Sequence, residues 1–171
     1  VDVFTALKGQ LPPPTRRGLV LIDPPYEIKT DYARVLAAVR EALERFADGT
    51  VIVWLPQLQL LEAAQLPQRL KSAAAPAKKG WLHARLTVGA PDAKGFGMFG
   101  SSVFVINPPH TLASTLPDTM AWLAPALGSA GASTLARAGP LGSALETCEA
   151  MASASLRLRS PTRAITVLPG V

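Results

Sequence analysis

A single cysteine, Cys148, stands in 171 residues. One thiol cannot close an internal disulfide and leaves no cysteine-rich metal site to build. His83 and His110 lie far apart in sequence, without acidic or cysteine company at ligand spacing, so no metal is expected. No apolar run approaches the ~20 residues of a membrane-spanning helix, so no membrane partner is expected either. The opening "VDVFTALKG" carries an acid where a secretory leader carries basic residues. A cytoplasmic setting is the default. Acids are the minority charge, 12 Asp and Glu against 17 Lys and Arg, and the formal net charge of +5 permits a polyanionic partner such as RNA. Residues 128–171 contain no Phe, Trp, Tyr or Lys. Such a segment has little large apolar surface to bury, so it is expected to be a largely disordered Ala/Ser/Arg-rich tail, with one possible short strand at "AITVLPG". Residues 1–127 have the length of one domain.

Within that domain the apolar pattern alternates between strand and helix. Residues 4–11 read as a short helix, ended by Gly9 and the prolines Pro12, Pro13 and Pro14. The run Leu19, Val20, Leu21, Ile22 shows no polar alternation and predicts a fully buried strand. In "KTDYARVLAAVREALERFADG", Tyr32, Val35, Leu36, Val39, Leu43 and Phe46 recur at helical spacing. Thr30 or Asp31 can cap that helix and Gly49 closes it. "TVIVWLP" predicts a second buried strand, stopped by Pro56. "LQLLEAAQLPQRLKSAAA" predicts a helix kinked or restarted at Pro67. "GWLHARLTVG" alternates, with Leu82, Ala84, Leu86 and Val88 on one face and His83, Arg85 and Thr87 on the other, half-exposed one. "SVFVINPP" follows after a glycine-rich loop, and a last helix over 111–127 is broken near Pro117 and Pro125. The order strand, helix, strand, helix is that of a parallel α/β sheet. The last two strands have no helix between them and must pair as an antiparallel hairpin.

The stretch "LVLIDPPYEIKTDY" is the most specific in the chain. Pro24 and Pro25 remove two backbone donors, so a central strand cannot pass through them. Pro24 also drives Asp23 toward extended geometry. The product is a stiff corner with a carboxylate at the carboxyl end of a strand, where open α/β sheets bind ligands. Asn107-Pro108-Pro109 repeats the pattern, but one domain has one catalytic corner, and the second copy reads as a structural strand end.

"RRGLVLIDPPYEIKTDY", "VIVWLP" and "GMFGSSVFVINPP" together resemble the bacterial 23S rRNA adenine-N6 methyltransferases of the RlmJ type, over roughly residues 2–127. The Asp-Pro-Pro-Tyr element marks the wider class of S-adenosylmethionine-dependent enzymes that methylate exocyclic or amide nitrogens. Glu27, Lys29, Asp31, Tyr32 and the later Asn-Pro-Pro narrow it to this family. The resemblance implies a Rossmann-like methyltransferase fold of seven strands, with the last two a hairpin. The strand ending at Asp23 would be the fourth. The chain is then an incomplete domain of strands four to seven, whose missing N-terminal half would be its natural partner, and the strand ending at Asp23 is left as an exposed sheet edge. In the family the early strands carry a glycine-rich loop and the acid that holds the cofactor's ribose, and no such turn is visible near the start. An Asp-Gly pair ahead of a Phe also contacts the cofactor. It aligns with Asp2 and Val3, where the glycine is replaced. Leu55 stands where the family has Tyr, and His110 where it has an aromatic. The tail does not read like the family's ending.

The resemblance also implies a mechanism. The adenine N6 lone pair is delocalised into the ring, so the amine is a poor nucleophile. Asp23 and the Pro24 carbonyl would each accept one of its N–H bonds, and Asp23 would take the proton after transfer. Asp23 would also border the cofactor. Tyr26 would stack on an unpaired or flipped base. Pro25 adds stiffness, and Lys29 is the best single phosphate contact. Arg16 and Arg17 precede the strand, away from the corner, and Lys78 and Lys79 read either as RNA phosphate contacts or as a solvated loop. Two other readings stand beside the enzyme acting on 23S rRNA: a catalytically inactive remnant, and an amino-methyltransferase for DNA adenine or the guanine exocyclic amine.

Overall fold

The computed structural model describes the backbone of residues 3–128, 132–139 and 165–169, and the side chains of 7–128 and 132–139. Ten elements follow in order: α1 (Val3–Gln10), β1 (Gly18–Ile22), α2 (Lys29–Arg45), β2 (Thr50–Gln57), α3 (Leu61–Ala73), β3 (Trp81–Thr87), β4 (Gly100–Ile106), α4 (Leu112–Leu127), β5 (Ser133–Gly139) and β6 (Ile165–Pro169). They build one mixed sheet in the order β5-β3-β4-β2-β1-β6. Only β1 and β2 run parallel, with Leu19 opposite Thr50 and Ile22 opposite Val53. The helix α2 makes the crossover that a parallel pair requires. β3 and β4 form the expected antiparallel hairpin, from Trp81 opposite Ile106 to Thr87 opposite Gly100. The hairpin's second strand enters the sheet between β3 and β2. The architecture is the α/β, Rossmann-like one.

The main core lies on one face. Val20, Ile22, Val51, Val53, Phe104 and Ile106 of the sheet meet Val35, Leu36, Val39 and Leu43 of α2 and Leu66 and Leu70 of α3. Burial of each such aliphatic side chain contributes roughly 1.5–3 kcal/mol. On the other face Leu82, Ala84 and Val105 meet Met120 of α4. The helix α4 lies over the hairpin and not over β1, so β1 is not buried on both faces as its unbroken apolar run predicts. Val20 and Ile22 are buried, and Leu19 and Leu21 only half so.

Several local expectations are corrected. α2 begins after Ile28, which caps it without a side-chain bond, so Thr30 and Asp31 lie inside the helix. β2 continues through Pro56 to Gln57. Pro56 lies beyond Val53, the last residue paired with β1, where a missing donor interrupts only one neighbour. α3 and α4 run unbroken past Pro67, Pro117 and Pro125. His83 is buried rather than half-exposed, because its face of β3 packs on Phe104 at 5.7 Å between ring centroids. The edge of β1 is not open. β6 pairs with it antiparallel along its whole length, from Gly18 opposite Pro169 to Ile22 opposite Ile165. Within the segment read as tail, β5 adds an outer strand on β3, from Trp81 opposite Gly139 to Thr87 opposite Ser133, and β6 coincides with the strand expected at "AITVLPG".

Candidate active site

The carboxyl ends of β1 and β2 point the same way because the two strands are parallel. Three connections meet there: residues 23–28 after β1, 58–60 after β2, and 88–99 within the β3–β4 hairpin. The last belongs to this end because Gly100 is opposite Gln57. The side chain of Gln57 ties the three strands together. Its Nε2 donates to the carbonyls of Leu86 and Ser101, both at 2.9 Å, and its Oε1 accepts from Thr87 Oγ1 at 2.8 Å.

At the end of β1 the two prolines turn the chain away. Asp23 is half-buried, Pro24 buried and Pro25 exposed. No hydrogen bond or ion pair engages the Asp23 carboxylate among the described residues. Burial raises its carboxyl above the ordinary carboxylate range. Tyr26 takes φ 55°, a left-handed conformation that is uncommon for a bulky L-residue and clusters at functional sites. That turn sends the ring inward. Its hydroxyl donates to the Trp54 carbonyl at 2.7 Å, and its ring packs at 5.1 Å from Tyr32 and 6.3 Å from Trp54. Burial, and then the charge of Asp23, pushes the hydroxyl upward in pKa, so Tyr26 remains a neutral donor. Only 4% of Tyr26 is exposed, so neither face of the ring is open to a base.

Lys29 extends from the start of α2 to Glu62 at the start of α3, at 2.8 Å. The pair is exposed and screened, so the ammonium can leave it for a phosphate. Asp31 and Tyr32 are buried beside the corner, and the Asp31 Oδ2 and the Tyr32 hydroxyl have no hydrogen-bond partner among the described residues. Buried polar atoms without partners are rare and need a reason. Residue patterning alone assigns Asp31 a capping role and Tyr32 a core role. Their neighbourhood to Asp23 and Tyr26 emerges only from the fold.

Other sequence candidates lie elsewhere. Asp2 falls outside the described residues, as does the side chain of Val3. Arg16 and Arg17 are exposed ahead of β1, and Lys78 pairs with Asp48 at 2.9 Å before β3. Both groups are at the opposite end of the sheet from Asp23. A cavity of about 580 Å³ is there too, lined by Thr50, Trp81, Asn107 and His110 among others. Its size alone would mark it as the site, but Asn107 is fully engaged in structure. Its Nδ2 donates to the carbonyls of Ala47 at 2.8 Å and Gly49 at 2.9 Å, and its Oδ1 accepts from the Lys79 amide at 2.9 Å. An Asp-Pro-Pro-Tyr corner with an unengaged carboxylate is therefore the better candidate.

The family model described as ribosomal RNA large subunit methyltransferase D, RlmJ, matches residues 1–137. The chain belongs to the RlmJ family. It is 39% identical over 130 residues to ribosomal RNA large subunit methyltransferase J of Escherichia coli (strain K12), covering 76% of this chain and 45% of that protein. It is 41% identical over 120 residues to the enzyme of the same name from Haemophilus influenzae, covering 70% of this chain and 41% of the relative. The crystal structure of protein LPL1258 from Legionella pneumophila superposes with a TM-score of 0.71 at 27% identity, over 81% of this chain and 50% of that one. The chain thus spans less than half the length of these two RlmJ-family relatives.

An RlmJ-family member is expected to use S-adenosylmethionine. A half-buried carboxylate at the corner fits the reacting end of that cation. The described residues show no glycine-rich turn for the remainder of the cofactor: β1 is followed by two prolines and β2 by Leu58-Gln59-Leu60, and the resemblance places that turn on earlier strands.

Proposed function

We propose that this chain carries the acceptor corner of an S-adenosylmethionine-dependent methyltransferase that modifies the N6 amine of an adenine in 23S rRNA, in the cytoplasm. The observation that carries the reading is the Asp23 carboxylate, half-buried at the carboxyl end of β1 with no partner among the described residues, next to the Pro24 carbonyl. S-adenosylmethionine supplies the methyl group when bound. The protein's part is to hold the amine. Asp23 accepts one N–H in a charge-assisted bond and the Pro24 carbonyl accepts the other. Withdrawing both hydrogens from the ring plane favours a pyramidal nitrogen with a directed lone pair, and Asp23 receives the proton released on transfer. Pro24 and Pro25 fix the geometry, and Tyr26, anchored on Trp54, forms the wall behind it. Lys29 holds a phosphate of the RNA strand, whose target base is unpaired or flipped out to reach the corner.

Unmodified 23S rRNA and methyl-labelled S-adenosylmethionine, incubated with the complete RlmJ-type domain that includes this chain and followed by nucleoside analysis, test this. Label is expected in N6-methyladenosine, and Asp23→Ala is expected to lower turnover by about 100- to 10,000-fold with little change in cofactor affinity. Near-normal transfer by Asp23→Ala would remove Asp23 from the chemistry, and label in guanosine would change the acceptor. A second reading, a member that keeps the corner without activity, is favoured by Val3 standing where the family has a cofactor-contacting glycine and Leu55 where it has a tyrosine. Transfer by the complete domain separates the two: the inactive reading expects no label on any acceptor, and Asp23-dependent label rejects it.

A further inference from the structure

Six large apolar side chains are exposed among the described residues: Ile28, Leu60, Leu61, Phe96, Met98 and Trp122. Four of them, Ile28, Leu60, Phe96 and Met98, sit on the connections at the carboxyl end of β1 and β2, the end that holds Asp23, and Leu61 opens α3 beside them. Scattered exposed apolar residues need no explanation, but a group at one functional end does. Phe96 is the most exposed, at 75%. It is not on a slack loop. At the loop's base Val88 donates to Phe99 and Phe99 to Gln57, at 2.9 and 3.1 Å. At its tip Asp92 accepts from Gly95 through its carbonyl and from Lys94 through its side chain, at 2.9 and 3.0 Å, and Gln59 reaches the same carbonyl at 3.4 Å. Gly95 and Gly97, with φ 77° and 86°, flank Phe96 and turn it outward. Two left-handed glycines cost conformational entropy on folding, and here they serve to hold an aromatic ring in water.

Tyr26, the aromatic of the corner motif, cannot offer a face, because it is buried between Tyr32 and Trp54. Among the described residues, the most exposed ring at this end is Phe96. We propose that Phe96 is the stacking platform for an unpaired base of the RNA strand beside the target adenine, extended by Met98, with Lys94 placed for the adjoining phosphate. Every base has a π-face, so such a platform holds single-stranded RNA with little sequence preference. This assignment rests on the RNA-acceptor reading above and adds to it where the strand runs.

Fluorescence titration of a single-stranded oligoribonucleotide containing 2-aminopurine with the 171-residue chain tests it. Phe96→Ala is expected to weaken binding by about 5- to 100-fold, Phe96→Leu to weaken it comparably, and Phe96→Trp to retain it with 2-aminopurine quenching. The salt slope should stay unchanged in the Phe96 variants and fall by about one in Lys94→Ala. Phe96 is three-quarters exposed, so all variants should melt with the parent. Equal RNA affinity in parent and Phe96→Ala overturns the platform and leaves the methyltransferase reading intact. Retained affinity in Phe96→Leu also overturns it, because the patch then docks apolar groups such as a polypeptide segment. No RNA binding by the parent chain overturns both.

Discussion

Replacement of Asn107 by alanine separates a structural strand end from a second catalytic signature. Asn107 is 1% exposed and takes φ 52°. It joins the connection after α2, the loop before β3 and the end of β4 through three side-chain hydrogen bonds. Its own carbonyl accepts from Thr50 Oγ1 at 3.0 Å. Alanine strands the Gly49 carbonyl in a buried position, which costs about 1–3 kcal/mol. The Ala47 carbonyl and the Lys79 amide can regain water, so each of those bonds is worth about 0.5–1.5 kcal/mol. Left-handed backbone adds about 1 kcal/mol for a residue with a Cβ and no local hydrogen bond. The expected loss is about 4 kcal/mol, a large share of the ~5–15 kcal/mol that holds a domain together. Urea unfolding followed by tryptophan fluorescence, with Trp81 beside the site, should show a midpoint lower by about 2 M, given a slope of roughly 2 kcal/mol/M. Asn107→Gly frees the backbone and should recover about 1 kcal/mol. Asn107→Asp sets a carboxylate oxygen against two carbonyls and should do no better than alanine. A midpoint for Asn107→Ala within about 0.3 M of the parent would refute the bracing role.

Two further outcomes follow from the hairpin. Burial, and then the charges of Lys71, Arg85 and Arg137, lower the pKa of His83 to about 4 from 6.5. The folded chain therefore keeps His83 neutral where the unfolded chain is protonated. This contribution is complete above pH ~6.5 and is lost as pH falls toward ~4, by about 3 kcal/mol in all. His83 Nε2 has no partner among the described residues, so His83→Leu should match or exceed the parent's stability at pH 7. Melting curves against pH should show a parent-minus-variant difference that changes across that window, and a flat difference would contradict it. In Gly100→Ala the new Cβ would stand 2.5 Å from the Leu86 carbonyl oxygen and 2.8 Å from Thr87 Cα. Backbone cannot step aside as a side chain can, so the hairpin must spread, at about 1–3 kcal/mol. An unchanged melting temperature for Gly100→Ala would show that the strands do not approach so closely.

What the sequence discloses and what it withholds divide along sequence distance. The helices over Lys29–Arg45 and Leu61–Ala73 and the strands through Ile22, Val53 and Ile106 are legible because their signals are local: apolar period, bounding glycines, and prolines after a strand. The corner at Asp23 is legible for the same reason, since its stiffness comes from adjacent residues. Sheet edges are not local. The strand β5 has one large apolar residue, Leu135, among small residues and Arg137, and it gains its place from pairing with a hairpin about 50 residues earlier. Likewise nothing near β1 announces that β6 will cover its edge, although the short apolar run of β6 is itself visible. Burial of His83 depends on Phe104 across the hairpin, and the prolines of α4 are tolerated only in a helix that packs on the sheet. The direction of Tyr26 is the most consequential case. Its place after two prolines marks it as part of the site, but the sign of one backbone dihedral decides whether its ring faces the substrate or the core. Because it faces the core, the platform proposed here is a ring more distant in sequence, and the loop that presents Phe96 is held to the end of β2 by Gln57 and Gln59, residues with no motif to announce them.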